Sequence, residues 1–310
     1  MINQGRFKVS HAPKSLVKNT VIKIKSLKLP KTIQGHQING QKINQQINNH
    51  KPPPAKKFFK LHYLYIITLF IIHPHQTIRF YVKIVFMLVF ACISPHPPII
   101  LPTVGSPDDR EKVKSTISAL ERLGTELAEV KPDTIIISSP HADWGINVPL
   151  FFLARNFQFP ISNFQSITNS QLPIPNYGSG IFPILTTADS PQQHYEWGKE
   201  IIKKIPDKLR VAWIASGDMS HVLKEDGPYG FHPSGPKFDR EFIERLKKKD
   251  IQGILNMDPQ LIDKAGVCGL WSFCMMLGAL EESKQEWKPE ILSYEGPFGV
   301  GYLVANIRIK

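Results

Sequence analysis

Four side chains that can bind metals or transfer protons each follow a predicted buried strand within a few residues. They are His96, His141, His221 and Glu295. In open α/β sheets, ligands bind outside the carboxyl ends of the strands, so these side chains are expected to meet if their strands share one sheet. A single histidine after a strand is more often an ordinary surface or core residue, so the prediction depends on the convergence of all four. Together they predict a metal site or an acid–base site.

Two histidines and one carboxylate form the facial triad that holds Fe(II) in oxygenases. Neutral imidazoles and one carboxylate leave a divalent ion with residual positive charge, and three positions of its octahedron stay open for an anionic substrate and dioxygen. Zinc can use the same ligands with water in an open position. Ligand type alone therefore does not identify the metal.

Short apolar runs supply the strands that must position these side chains. The runs cover residues 88–93, 134–138, 211–215, 291–294 and 300–309. Between the first two runs, apolar residues from Val113 to Val130 recur at spacings of three and four, after a helix start at Ser106-Pro107. This β-α-β order predicts a parallel strand pair with a crossover helix.

Further helices are predicted over residues 192–205, 238–249 and 270–280, whereas residues 156–193 have the composition of loops and short strands. That segment is expected to form a lid or one wall of a pocket. The predicted fold class is a three-layer α/β/α domain with a mixed, largely parallel sheet, and the predicted domain covers residues 87–310.

Charge divides the chain at the same boundary. Residues 1–86 contain 15 Lys and Arg and no acidic residue, whereas the other 224 residues contain 23 Lys and Arg and 26 acids, a net charge of −3. The composition therefore excludes a basic core that binds nucleic acid. The basic stretch is predicted to be a disordered extension, because long polar segments with one sign of charge do not build a compact core.

Three interpretations of residues 1–86 stay open: a basic arm for nucleic acid or anionic lipid, a targeting or membrane-surface segment, and residues without a function. The third is favoured, because Lys, Asn, Ile, Phe and Tyr have AT-rich codons. We expect that translation begins at Met87 and that residues 1–86 are upstream DNA translated conceptually. The apolar run from Leu61 to Ile72 has 12 residues, and a spanning helix needs roughly 20, so no stable membrane span is expected.

The three cysteines, Cys92, Cys268 and Cys274, lie in apolar segments assigned to strands or helices. An odd number of cysteines in such surroundings predicts reduced, unreactive thiols in a cytoplasmic protein. The C-x5-C spacing of the last two is not a metal-binding signature.

Several motifs resemble, in order and spacing, those of the class III extradiol ring-cleavage dioxygenases, whose type member is the catalytic subunit of protocatechuate ring-opening dioxygenase. The motifs are Ile93-Ser94-Pro95-His96-Pro97-Pro98, Ser139-Pro140-His141, Gly217-Asp218-Met219-Ser220-His221, Gly235 with Phe238-Asp239, and the run from Tyr294-Glu295-Gly296 to Gly301-Tyr302. The resemblance covers essentially all of residues 87–310.

The resemblance implies that His96, His141 and Glu295 ligate Fe(II) and that His221 is the catalytic acid–base residue. The implied reaction is cleavage of an aromatic ring beside its ortho-diol, so the implied partners are a small aromatic diol and O2. A homo-oligomer is one possible assembly, and nucleic acid is not an expected partner.

Three further residues have two interpretations each. Asp218 is expected to hydrogen-bond a ligand imidazole or to shape a turn. Tyr294 is expected to contact the substrate or to pack in its strand, and His232 to enter the pocket or to lie in a loop.

The motifs look closest to a compact single-chain branch of the superfamily that includes Memo-like proteins. Two alternatives to an oxygenase therefore stay open. One is a Memo-like metal-binding accessory protein without oxygenase activity, and the other is a zinc-dependent hydrolase that uses the same site.

Overall fold

The computed structural model describes residues 87–155, 157, 165–166, 180–206 and 209–310. The predicted basic extension over residues 1–86 lies outside the described residues, as does most of the predicted loop segment between 156 and 179. The predictions made for those stretches, including the domain boundary and a start at Met87, stay predictions.

Seven strands form one mixed sheet in the described part of the chain. They are β1 (Met87–Ser94), β2 (Thr134–Ser139), β3 (Gln165–Ser166), β4 (Gly180–Leu185), β5 (Arg210–Ser216), β6 (Trp287–Glu295) and β7 (Tyr302–Ile309). Their order across the sheet is β3-β4-β2-β5-β1-β7-β6. All neighbours are parallel except for β7, which runs antiparallel to both β1 and β6. Strand β6 therefore runs in the same direction as β1, and the carboxyl ends of β1, β2, β5 and β6 lie at one edge.

Eight helices and one 3-10 turn (Pro98–Ile100) connect the described strands. The helices are α1 (Pro107–Lys112), α2 (Lys114–Val130), α3 (Trp144–Leu153), α4 (Pro191–Lys204), α5 (Ser234–Lys247), α6 (Ile251–Leu255), α7 (Pro259–Ala265) and α8 (Leu270–Ser283). No helix in the described ranges combines the length and the apolar character needed to cross a membrane.

The central strands are apolar along their whole length because both faces of the sheet are covered. In β2, Ile136 packs in one apolar cluster with residues of α4, α5 and α8, whereas Ile135 and Ile137 pack in a second cluster with residues of α2 and α3. Side chains alternate between the two faces of a strand, so each cluster receives every second residue. The predicted three-layer α/β/α class with a largely parallel sheet is confirmed.

The structure differs from the prediction at two helices. The single helix predicted from Ser106-Pro107 to Val130 is interrupted at Val113, which has φ −114° and ψ 20°. This break gives α2 an amino terminus of its own, directed at the end of β6. Helix α3 is not among the predicted elements, and it contains Pro149, a residue that usually interrupts helices.

Candidate metal centre

The strand-end histidines lie at the edge where the parallel strands end. Two groups of potential metal-ligand atoms form there, each with all its atoms within 4.8 Å of one another. The first group is His96, His141 and Cys268, and the second is Asp218, His221 and Cys268. Cys268 belongs to both groups, so its thiol lies between the pair His96 and His141 on one side and the His221 loop on the other.

The hydrogen bonds of His96 determine which of its nitrogens can bind a cation. Its Nδ1 lies 3.0 Å from the hydroxyl oxygen of Ser216, and that hydroxyl donates its hydrogen to the carbonyl oxygen of Gly145. Because a hydroxyl has only one hydrogen to donate, Nδ1 of His96 must be the donor to Ser216. The lone pair is therefore on Nε2, which lies 3.7 Å from Sγ of Cys268 and 3.8 Å from Oδ2 of Asp218.

The surroundings of His96 favour its neutral form, which is the form that binds metals. The residue is only 5% exposed. Burial is the largest cause that lowers the pKa of its imidazole, and the nearby Asp218 carboxylate acts in the opposite direction. The His141 ring meets the His96 ring edge to face, with 5.2 Å between the ring centroids. His141 itself is exposed and lies in the loop after β2, where the Ser139 hydroxyl accepts from its backbone N–H at 3.2 Å.

Cys268 corrects one expectation from the sequence. The sequence places this thiol in an apolar strand or helix, but Cys268 lies in a bend before α8 and is only partly buried. The expected low reactivity agrees with its surroundings, because burial, and then the Asp218 carboxylate, raise the pKa of the thiol. Two glycines bring it to the histidines: a Cβ atom on Gly217 would lie 2.1 Å from the Cα of Gly269, so only glycines allow the two loops to approach this closely. At this contact, the backbone N–H of Asp218 donates to Sγ of Cys268 at 3.2 Å.

Asp218 forms hydrogen bonds with the loop that holds His96 and with the loop that holds Cys268. Its Oδ1 accepts from the backbone N–H of His96 at 2.9 Å, and its carbonyl oxygen accepts from the N–H of Gly269 at the same distance. The sequence leaves a choice between an imidazole partner and a turn. The structure shows a carboxylate that accepts from the backbone N–H of His96 and stabilises the loop contact, whereas its Oδ2 lies 3.8 Å from Nε2 of His96, too far for a hydrogen bond to the imidazole.

His221 has a buried ring nitrogen without a partner. No group in the described ranges forms a hydrogen bond with its Nε2, although that atom is buried. Burial is the main cause that lowers the pKa of its imidazole. The ring stacks against Tyr229, with 5.2 Å between centroids and an interplanar angle of 30°. A buried acceptor or donor without a partner costs folding free energy, and a ligand at this position would supply the missing partner.

Glu295 is the last residue of β6 and is absent from both groups of ligand atoms. Its Oε1 accepts from the backbone N–H of Thr116 at 2.8 Å and from the Thr116 hydroxyl at 2.6 Å. Thr116 lies in the first turn of α2, so Glu295 satisfies one of the helix N–H groups that have no partner within the helix. A cation would have to use its other oxygen, Oε2.

Two other candidate residues have hydrogen-bond partners of their own. The Tyr294 hydroxyl donates to Oδ2 of Asp239 at 2.6 Å. Nδ1 of His232 accepts from the backbone N–H of Ser234 at 3.1 Å, at the start of α5. Tyr302, to which the sequence assigns no role, lies near the carboxylates of Asp218 and Glu295. Burial is the largest cause that raises the pKa of its hydroxyl, and these two carboxylates raise it further.

Comparison with protein families identifies the domain that carries this centre. Residues 141–305, just over half of the chain, match the family of the catalytic LigB subunit of aromatic ring-opening dioxygenase. The chain belongs to this family. The match confirms the family resemblance that the motifs predict, and it includes His141, His221, Cys268 and Glu295.

Two individual proteins resemble this LigB-family chain. Protein CA_C1420 of Clostridium acetobutylicum is 30% identical over 264 residues, which cover 69% of this chain and 56% of the relative. The chain thus spans about half the length of that curated relative. The crystal structure of uncharacterized protein JW3007 from Escherichia coli K12 aligns with a TM-score of 0.41 at 12% identity, and the alignment covers 70% of this chain and 99% of that one.

Proposed function

We propose that this LigB-family chain binds Fe(II) and opens the ring of an aromatic ortho-diol with O2. The observation that carries the proposal is the unprotonated Nε2 of His96 beside His141 and Cys268, next to a His221 whose buried Nε2 has no partner among the described residues. Membership of the LigB family supports the same reaction class.

The donor set fits a divalent transition metal. His96 and His141 offer imidazole nitrogens, and the anionic ligand would be the thiolate of Cys268, Oε2 of Glu295 or both. Two imidazoles and one anionic ligand neutralise half the charge of a divalent cation, which leaves it attractive to an anionic diol. Iron(II) bound there would supply the redox chemistry that lets triplet dioxygen react with a singlet aromatic ring.

His221 would move the protons of this reaction. Its buried Nε2 is the atom at which we expect a diol hydroxyl to lose its proton, because a buried imidazole with a lowered pKa is neutral near pH 7 and can accept one. The carboxylate of Asp218 raises the pKa of the same imidazole and would stabilise its protonated form. Tyr229, stacked on the ring, would limit the access of water from that side.

Cys268 favours a second candidate function, a metal-binding protein without oxygenase activity. A thiolate is a soft ligand that suits zinc and copper(I) better than a carboxylate does. Its Sγ lies 3.7 Å from Nε2 of His96, whereas Glu295 is bonded to Thr116. A zinc-dependent hydrolase would use the same ligands with water in an open position.

One experiment separates these functions. The chain is purified anaerobically, its metals are measured, and the Fe(II)-loaded protein is tested with a panel of catechols in an oxygen electrode, with His96→Ala as the control. We expect stoichiometric iron and diol-dependent oxygen uptake that the control lacks. Tightly bound zinc with no oxygen uptake for any diol would contradict the proposal and would support the second candidate.

A further inference from the structure

Asp239 is a buried carboxylate that lies outside the metal centre. It belongs to α5 and is 0% exposed. No lysine, arginine or histidine within the described ranges forms an ion pair with it. Burial raises the pKa of its carboxyl group to about 6, although the hydrogen bonds that it accepts act in the opposite direction. A buried carboxylate is costly for folding, so its partners indicate what it contributes.

The partners of Asp239 come from the loop after β5 and from the end of strand β6. Its Oδ1 accepts from the backbone N–H of Ser220 at 2.8 Å, and its Oδ2 accepts from the Tyr294 hydroxyl at 2.6 Å and from the Ser220 hydroxyl at 3.3 Å. Ser220 directly precedes His221, and Tyr294 directly precedes Glu295. One carboxylate thus forms hydrogen bonds with the residue before His221 and with the residue before Glu295.

Backbone hydrogen bonds join the loop after β5 to the turn between β6 and β7. The N–H of Met219 donates to the carbonyl oxygen of Gly301 at 2.9 Å. The N–H of Gly301 donates to the carbonyl oxygen of Ser220 at 2.8 Å. A Cβ atom on Gly301 would lie 2.5 Å from Oδ2 of Asp239 and 2.8 Å from Cβ of Met219. The absence of a side chain at position 301 is therefore what lets the carboxylate reach both Ser220 and Tyr294.

We propose that Asp239 is a positioning residue, which fixes the Glu295 end of β6 relative to the His221 loop without touching metal or substrate. The inference rests on the proposed function, because it assumes that these two residues serve the metal centre. Hydrogen-bond partners outside the ligand set orient ligands in this way in other metal sites, and their loss costs about 10- to 100-fold in metal affinity.

Cobalt(II) titration of the metal-free chain tests the inference without measuring turnover. Tyr294→Phe removes only the hydroxyl that ties β6 to Asp239, and Asp239→Asn replaces the acceptor of that bond with an amide of similar shape. We expect each variant to bind Co(II) about tenfold more weakly than the wild type. We also expect altered d–d bands in the saturated complex. Asp263→Asn, a change at an exposed carboxylate of α7, is the matched control and should titrate like the wild type.

A double-mutant cycle with Glu295→Gln separates positioning from general destabilisation. Gln can still accept from Thr116 but is a weaker ligand, so Tyr294→Phe should weaken Co(II) binding less than about twofold in this background if Asp239 acts through Glu295. Wild-type affinity and spectrum in both single variants would overturn the inference and leave the metal site intact. An undiminished loss in the Glu295→Gln background would also overturn it. A wild-type chain that binds no Co(II) would instead overturn the metal-dependent function on which it rests.

Discussion

Nε2 of His96 lies 3.7 Å from Sγ of Cys268, although 172 residues separate them along the chain. The Ser216 hydroxyl, which donates to Gly145 and accepts from Nδ1 of His96, leaves that Nε2 with its lone pair. The backbone N–H of Asp218 donates to the sulfur. A neutral nitrogen acceptor and a thiol thus lie side by side. Because burial and the Asp218 carboxylate raise the pKa of this thiol, it would ligate only where a bound cation displaces its proton.

The first prediction concerns this thiol. Cys268→Ser should weaken Co(II) or Zn(II) binding at least about tenfold and should abolish the thiolate-to-cobalt charge-transfer absorption, because a hydroxyl is a harder and much less acidic donor. Titration followed by absorbance checks both. Cys274→Ala, at a cysteine buried in α8, is the control and should keep the absorption band. A band that survives in Cys268→Ser would show that the sulfur is not a ligand.

His141 and His221 should respond differently to replacement by alanine. His141→Ala removes an exposed candidate ligand and should lose bound iron and activity together. His221→Ala should retain iron and lose about a hundredfold or more in turnover, because we assign it proton transfer and not ligation. Metal analysis combined with oxygen uptake distinguishes these results. If His221→Ala loses its metal, the second group of ligand atoms is the metal site and the assignment of His221 as acid–base residue is wrong.

Much of this centre follows from the sequence, because strand ends can be read from apolar runs. The positions of His96, His141 and His221 after β1, β2 and β5 follow from the β-α-β order alone, since parallel strands place their carboxyl ends at one edge. The fold class follows from the same runs, whose uninterrupted apolar character indicates cover on both faces.

Contacts between loops could not be predicted in the same way. Cys268 reaches His96 because Gly217 and Gly269 let two backbones touch, and neither glycine belongs to a periodic pattern. Glu295 follows its strand as predicted. The break at Val113, however, gives α2 its own amino terminus, where Thr116 donates hydrogen bonds to the Glu295 carboxylate. Both effects depend on packing between segments about 50 residues or more apart in the chain.

The interaction between Glu295 and α2 should be measurable without any metal. Glu295→Ala removes the acceptor of the Thr116 N–H and hydroxyl, and it should lower the free energy of unfolding by about 1 kcal/mol, as the loss of a helix cap does. Glu295→Gln keeps an acceptor oxygen and should stay close to the wild type. Urea unfolding of the metal-free proteins tests the pair. Equal destabilisation by both variants would show that the charge, and not the hydrogen bond, stabilises α2.

A side chain at position 217 should be incompatible with the close contact between Gly217 and Gly269. Gly217→Ala would place a Cβ atom 2.1 Å from the Cα of Gly269, and we expect a loss of about 2 kcal/mol in the free energy of unfolding. Because the loops would have to separate, Cys268 should also move away from His96, and the thiolate-to-cobalt absorption of the folded variant should weaken. Urea unfolding and Co(II) titration of the same sample measure the two effects. A variant with normal stability would show that the loops can separate at no cost.

Asp239 should make stability depend on pH in the direction opposite to that of most carboxylates. Its pKa is about 6 in the folded chain and ordinarily 3.8, so between these values the folded state binds a proton that the unfolded state has lost. The free energy of unfolding therefore falls as pH rises through this window, by about 3 kcal/mol for this group. Tyr294 and Ser220, whose hydroxyls face the carboxylate, do not titrate in this range.

Asp239→Asn isolates this contribution, because the amide has no charge to lose or gain. Urea unfolding at pH 4, 5, 6 and 7 should show the variant gaining stability relative to the wild type as pH rises, with most of the change between pH 4 and 6. Asp263→Asn, which alters an exposed carboxylate, should follow the wild type at every pH. A difference between Asp239→Asn and the wild type that is constant with pH would mean that Asp239 is already ionised at pH 4, and that its three donors outweigh the cost of its burial.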